Sequence, residues 1–153
     1  MIPENLLENP IVAALRDLAT TAKEEFGELT VEIEASKIVE ANARCKNKLG
    51  FERLTSVTGV DRYPAEPRYE VVYHLQAIAK KQRLRLKARI ASDAAEIESV
   101  TPVYRAANWY ERETFDMFGI KFLNHPDLTR ILMPDDWEGH PLRKDYPITG
   151  TRY

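Results

Sequence analysis

The sequence predicts an α+β protein: a two-layer domain with a mainly antiparallel or mixed β-sheet and helices on one face, followed by an extended tail. Three observations carry that expectation. Leu84, Leu86, Ala88 and Ile90 alternate with Arg83, Arg85, Lys87 and Arg89, a period of two that makes a strand with one apolar and one cationic face. Between Pro102 and Phe118 the apolar residues instead recur at helical spacing, with Gly119 as a stop. Beyond Gly119 no period survives, and Asn124-His125-Pro126-Asp127, Met133-Pro134-Asp135-Asp136 and Gly139-His140-Pro141 punctuate the chain.

Taken in order, the elements read α-β-α-β-β-β-α. Asn9-Pro10 offers a capping side chain and a proline at the first helical position. Ile11, Leu15, Leu18, Ala22 and Phe26 then fall on one helical face, with Gly27 as the stop. Leu29 to Glu34 alternates as a half-buried strand. Ser36 is placed to cap a second helix with the stripe Ile38, Ala41, Cys45 and Leu49, ended by Gly50. Phe51–Tyr63 and Tyr69–Ile78 are rich in residues that suit strands, and the loop Pro64-Ala65-Glu66-Pro67 separates them. A polar break from Ser92 to Ser99 leads into the last helix, expected from about Pro102. The domain is therefore expected over residues 1–119 and the tail over 120–153.

The composition excludes several functions. The 153 residues suit one domain, and a net charge of −2 gives no global attraction to nucleic acid or anionic lipid. With 44% hydrophobic and 30% charged residues the chain reads as an ordinary globular protein. The first residues lack the basic and apolar regions of a signal peptide, and no apolar run approaches the ~20 residues of a membrane span. One cysteine, Cys45, permits neither an internal disulfide nor an iron–sulfur cluster held by this chain alone.

Candidate chemistry is sparse. There is no phosphate-cradling glycine loop and no C-x-x-C pair. His74, His125 and His140 stand far apart, so each is more simply a hydrogen-bonding histidine than a metal ligand. Cys45 lies on an apolar helical face and reads as a small buried hydrophobe. Glu111, Arg112, Glu113 and Asp116 could be an acid/base cluster. On a helix, however, Glu111 and Glu113 point about 200° apart and cannot share one substrate. A structural or partner-binding role fits this tetrad better. The tail is the harder feature to read as mere surface. Phe122, Leu123, Leu128, Ile131, Leu132, Met133, Trp137, Leu142, Tyr146 and Ile148 make it too apolar for a disordered terminus, and it is expected to cover another surface.

The run Glu111-Arg112-Glu113-Thr114-Phe115-Asp116-Met117-Phe118-Gly119-Ile120 resembles the signature of the C-subunit family of NADH:quinone oxidoreductase, respiratory complex I. The run His125-Pro126-Asp127-Leu128-Thr129-Arg130-Ile131-Leu132-Met133-Pro134-Asp135-Asp136-Trp137 and the ending Gly139-His140-Pro141-Leu142-Arg143-Lys144-Asp145-Tyr146-Pro147 are similar to the same family. The similarity is dense over residues 103–147. It implies a non-catalytic subunit of the peripheral arm, on the cytoplasmic side of a bacterial inner membrane, in a complex that uses FMN, iron–sulfur clusters, NADH and quinone. It implies that this chain binds none of them, packs against the D subunit of the complex and lays its tail over that neighbour. Glu111, Arg112, Glu113, Asp116, Arg130, Trp137, Arg143, Lys144 and Asp145 are the residues expected to meet partners, with Trp137 as anchor. Related modules serve coenzyme-F420 dehydrogenases and membrane-bound, energy-converting hydrogenases. From other classes, the residues also allow a free-standing adaptor that binds an acidic protein through Arg83–Arg89, or a small hydrolase using Glu111 or Glu113.

Overall fold

The computed structural model describes residues 1–149; the last four residues of the expected tail lie outside it. Helix α1 spans Pro10–Leu15, and its Asn9 cap behaves as the sequence predicts, with Oδ1 accepting from the Ile11 N–H at 2.9 Å. The helix stops well short of Phe26, the last apolar position of its expected stripe. Ala19–Glu25 forms strand β1, which turns through Phe26 and Gly27 into β2, Glu28–Ile33. Both turn residues have positive φ, 53° and 76°, the geometry of a two-residue hairpin turn whose twist matches paired strands. Gly27 ends a hairpin, not a helix, and Phe26 is fully exposed. The expected long helix fails because positions 15, 18 and 22 are also buried by a turn followed by a strand. Thr20 and Thr21 in that interval are β-branched and favour the strand.

Helix α2 spans Ile38–Asn47 and buries Ile38, Ala41 and Cys45. Its expected cap does not form: the Ser36 hydroxyl bonds to Glu34, and a short 3-10 turn, Ala35–Lys37, leads into the helix. Strands β3 (Arg53–Asp61), β4 (Tyr69–Ala77) and β5 (Gln82–Ile90) follow closely the three predicted runs. The stretch read as a polar break contains a further strand, β6, Glu96–Glu98. Helix α3, Ala107–Phe118, begins later than expected, because residues 100–106 are turns bonded from Val103 and Tyr104 to Val100. β7 is Lys121–Leu123.

Five strands form one mixed sheet in the order β1-β2-β5-β4-β3, antiparallel except where β2 runs parallel to β5. β6 and β7 form a separate parallel pair in which Ile97 faces Phe122. A parallel pair needs a crossover, and α3 is that crossover. Ile120 and Phe122, grouped with the tail on sequence, are buried, so the domain's packing continues to Phe122.

One face of the large sheet, with Leu29, Val31, Tyr73, Leu75, Leu84 and Leu86, shares a single buried cluster with α2 and α3. The predicted alternation in β5 holds. Leu84, Leu86, Ala88 and Ile90 are buried, whereas Arg83 and Arg89 are exposed and Arg85 and Lys87 half-buried on the opposite face.

Candidate functional site

The residues singled out from sequence converge on α3 and the segment that follows it. They do not, however, point the same way. Glu111 and Asp116 are fully buried within this chain, whereas Glu113 is exposed, as the 200° separation requires. Direct contact with a partner, expected of all four members of the tetrad, is closed to the two buried ones. They hold a surface; they do not form it.

Asp116 organises the tail. Its Oδ2 accepts the backbone N–H groups of Ile131, Leu132 and Met133 at 3.1, 2.7 and 2.9 Å. Its Oδ1 accepts from Arg130 at 2.7 Å, and the other Arg130 amine donates to the Gly139 carbonyl at 2.8 Å. Burial alone would raise the Asp116 carboxyl, but these donors outweigh it and hold the group below its ordinary value. Charge-assisted hydrogen bonds of this kind are about twice as strong as neutral ones.

The tail also supplies the C-terminal cap of α3. A helix leaves its last carbonyls without intrahelical donors. Here His140 Nδ1 donates to the Asp116 carbonyl at 2.9 Å, Leu142 N–H to Met117 at 3.0 Å, and Arg143 Nε to Phe118 at 2.6 Å. Cations at this end also complement the helix dipole. Gly119, at φ 76°, makes the turn possible: a Cβ there would collide with the Arg143 guanidinium and the His140 ring.

A second clamp fixes residues 143–145. Arg68 grips Asp61 through two contacts of 2.8 Å and reaches Asp145 at 2.8 Å with the same guanidinium. The Lys144 N–H donates to Asp61 at 2.8 Å. Arg68 lies between the rings of Tyr63 and Tyr69, at 4.7 and 4.9 Å. The Arg68 hydrogen bonds lower the Asp61 carboxyl to about 2. Sequence reasoning missed Asp61 and Arg68. Arg68 stands 77 positions from Asp145, and Asp61 stands 83 from Lys144. No local pattern marks contacts of that span.

Arg112 donates to the carbonyls of Thr129 and Arg130, both at 3.1 Å, and stacks 5.0 Å from the ring of Trp109. Trp109 is 60% exposed, and nothing in the periodicity singled it out. Polar groups of the tail thus turn inward and several of its apolar ones outward: Arg130, Arg143 and Asp145 bind this domain and Leu128 and Met133 pack against the core, while Ile131, Leu132, Leu142 and Ile148 are exposed. Trp137 is half-buried. Trp and Arg, here an exposed Trp109 stacked on a half-buried Arg112, are residue types enriched in interface hot spots.

Chemistry elsewhere is quiet. Cys45 is buried and its thiol is pushed up to about 12 by desolvation. Each of the other histidines also has hydrogen-bond partners: His74 contacts Ser56 and Arg85, and His125 contacts the Asn108 carbonyl and the Asp127 N–H. Among the described residues no three His, Cys, Asp or Glu side chains gather as a metal site. Nor is any helix among them long and apolar enough to cross a membrane.

Residues 31–152 match the family described as respiratory-chain NADH dehydrogenase, 30 Kd subunit. The chain is 49% identical to the C subunit of the NADH-quinone oxidoreductase of Citrifermentans bemidjiense, covering 81% of this chain and 77% of that one. It is 46% identical to that of Geobacter sulfurreducens, over 94% and 87% of the two chains. Among solved structures, the trypsin-resistant fragment of Nqo5 aligns with a TM-score of 0.68 at 29% identity, over 82% of this chain and 98% of that one. A chain of the membrane-bound sulfane sulfur reductase, an archaeal respiratory membrane complex, aligns with a TM-score of 0.77 at 28% identity, over 92% and 85%. The chain belongs to the 30 Kd subunit family of the respiratory-chain NADH dehydrogenase.

Proposed function

We propose that this chain is a structural subunit of the peripheral arm of a proton-translocating NADH:quinone oxidoreductase, docking onto the D subunit on the cytoplasmic face of the inner membrane. It binds neither FMN, iron–sulfur clusters, NADH nor quinone; those belong to other chains of the complex. Its contribution is a rigid, preshaped surface.

One observation carries the docking reading most directly. The segment from Arg130 to Asp145 is pinned to its own domain by Asp116, the α3 carbonyls and Arg68, yet Ile131, Leu132 and Leu142 remain exposed, as does Trp109 on α3. A chain folding for itself would turn these side chains inward. Ordering the segment before it meets a partner lowers the entropic cost of binding. Trp109, Ile131, Leu132 and Leu142 then supply the apolar contact, and Glu113, exposed on α3, a polar rim.

The test is to tag this chain, isolate the native complex, and repeat with Ile131→Asp combined with Leu132→Asp. Wild type is expected to bring down a large complex that oxidises NADH and contains the D subunit, and the double variant to be absent from it. Normal incorporation of the variant would defeat the docking surface. A second reading, the equivalent subunit of another membrane-bound respiratory complex, is favoured by the likeness to the sulfane sulfur reductase chain. Failure of the isolated complex to oxidise NADH would select it.

A further inference from the structure

We infer that the open face of the five-stranded sheet is a second protein-docking surface, fitted to an acidic segment of a neighbouring subunit. This rests on the chain being part of a complex, but not on the tail surface being its contact with the D subunit.

The face opposite the core carries side chains that are half-buried or exposed, Glu70 and Val72 excepted. Its charges do not balance. Glu70, 2% exposed, lies within reach of three cations, Arg62 at 3.4 Å, Arg89 at 3.7 Å and Lys87 at 3.8 Å. Arg85 meets Glu28 at 3.0 Å, and Arg89 also meets Glu32 at 3.2 Å. Arg83 is exposed, and no carboxylate among the described residues pairs with it. Beside the Lys23–Glu25 pair on β1, these five cations have three carboxylates between them on a protein whose net charge is −2. The surplus is local, and no helix among the described residues supplies an ion pair to it.

The surplus is also preorganised. Arg85 is laid flat across the sheet by three acceptors on two neighbouring strands, His74 Nε2 at 3.1 Å, Thr30 Oγ1 at 3.3 Å and Glu28 at 3.0 Å. Because arginine can only donate, His74 accepts at Nε2, and its Nδ1–H donates to Ser56 Oγ at 2.8 Å. Four strands are thereby tied into one polar row. Beside it opens a cleft of about 380 Å³ whose polar lining is Glu28, Thr55, His74, Gln76, Arg83 and Arg85. A guanidinium whose position is already fixed loses little entropy when a carboxylate arrives.

The interleaving of signs selects the partner class. An extended polyanion or a flat anionic membrane would meet Glu28, Glu32 and Glu70 along with the cations. A protein segment can place an Asp or Glu against Arg83, which has no carboxylate partner among the described residues, and a donor group against Glu28 in the cleft. The site is also remote from the tail. Arg83 pairs with Gln76 at one end of β4, and the Arg68 clamp precedes Tyr69 at the other, roughly 23 Å away at strand spacing. The chain is thus able to bridge two neighbours.

The experiment is native-complex isolation with Arg83→Glu, alongside Arg83→Lys, over a series of salt washes. The charge reversal is expected to lower retention of the chain about tenfold or more at moderate salt, and the lysine variant to retain most of it, with unchanged melting of both isolated chains. A photoreactive residue in place of Arg83 is expected to crosslink to an acidic stretch of another subunit. Retention of Arg83→Glu equal to wild type at every salt concentration would overturn the inference, as would crosslinks confined to lipid. Loss of wild type itself from any complex would instead defeat the assembly reading. Loss of Arg83→Glu with intact wild type, in which the tail surface is unaltered, isolates the sheet face.

Discussion

The sheet and the tail are built on opposite polarity. In the sheet, Leu86, Tyr73 and Val31 are buried and the charges of β5 look outward. In the segment from Arg130 to Asp145, carboxylates, guanidiniums and backbone N–H groups bond inward while Ile131, Leu132 and Leu142 look outward. The first arrangement is stabilised by removing apolar area from water, which is non-directional and grows with the area buried. The second depends on hydrogen bonds whose geometry fixes where each residue lies. A core gives stability; a polar scaffold gives position. The tail is built to present a surface.

The largest effect that sharpens this contrast is in the sheet. Leu86→Ala, at the centre of β5 and fully buried, should cost about 2–5 kcal/mol by urea unfolding, since a cavity remains where neighbours cannot collapse. Loss of under ~1 kcal/mol would mean the face is not core. Asp116→Ala comes next. It strips acceptors from three N–H groups and from Arg130, and should cost about 2–4 kcal/mol. Hydrogen exchange should locate that loss in residues 129–145, with the sheet still protected. Exchange rising equally in β4 would show that tail and sheet are one cooperative unit.

Two carboxylates give the contrast a pH signature. Burial raises Glu111 to about 7 against the pull of Ser99 and the Val100 N–H. Its second oxygen and the buried Tyr73 hydroxyl have no hydrogen-bond partner among the described residues. The fold therefore favours the protonated acid. Its contribution is complete below about pH 4.5 and is lost as pH rises through 7. Glu111→Gln should flatten stability over that interval and raise it above pH 7 by about 1–3 kcal/mol. Asp61 behaves oppositely. Held near 2 by Arg68, it stabilises the clamp above about pH 3.8, and that contribution, on the order of 2 kcal/mol, is lost as pH falls through 2. Arg68→Ala should abolish that acid transition; its persistence would assign the transition to other carboxylates. The smallest effect belongs to the exposed tail. Ile131→Asp with Leu132→Asp should change melting of the isolated chain by no more than about 0.5 kcal/mol each. A large loss would return these side chains to the core.

Amino-acid order alone determined what is local. The alternation of residues 83–90 fixes both faces of β5, Asn9-Pro10 starts α1, and the runs from Glu111 to Pro147 carry the family. It also separated Glu111 from Glu113, because helical angle depends only on spacing. What spacing left ambiguous, tertiary pairing decided. Residues 19–25 fit a helical stripe and a strand equally well until β2 is present to pair with them. β2 lies parallel to β5 across about 50 residues of sequence, and β6 needs β7 beside it, so neither pairing has a local mark. The inward turn of the tail's charges is likewise invisible in order. Arg68 selects Asp145 across 77 positions, and Asp116 selects the N–H groups of residues 131–133, through distances that exist only after the chain has folded. Hydrophobic period is written in sequence because it follows backbone geometry. The partners of a buried charge are not, because Coulomb and hydrogen-bond energies depend on separation in space.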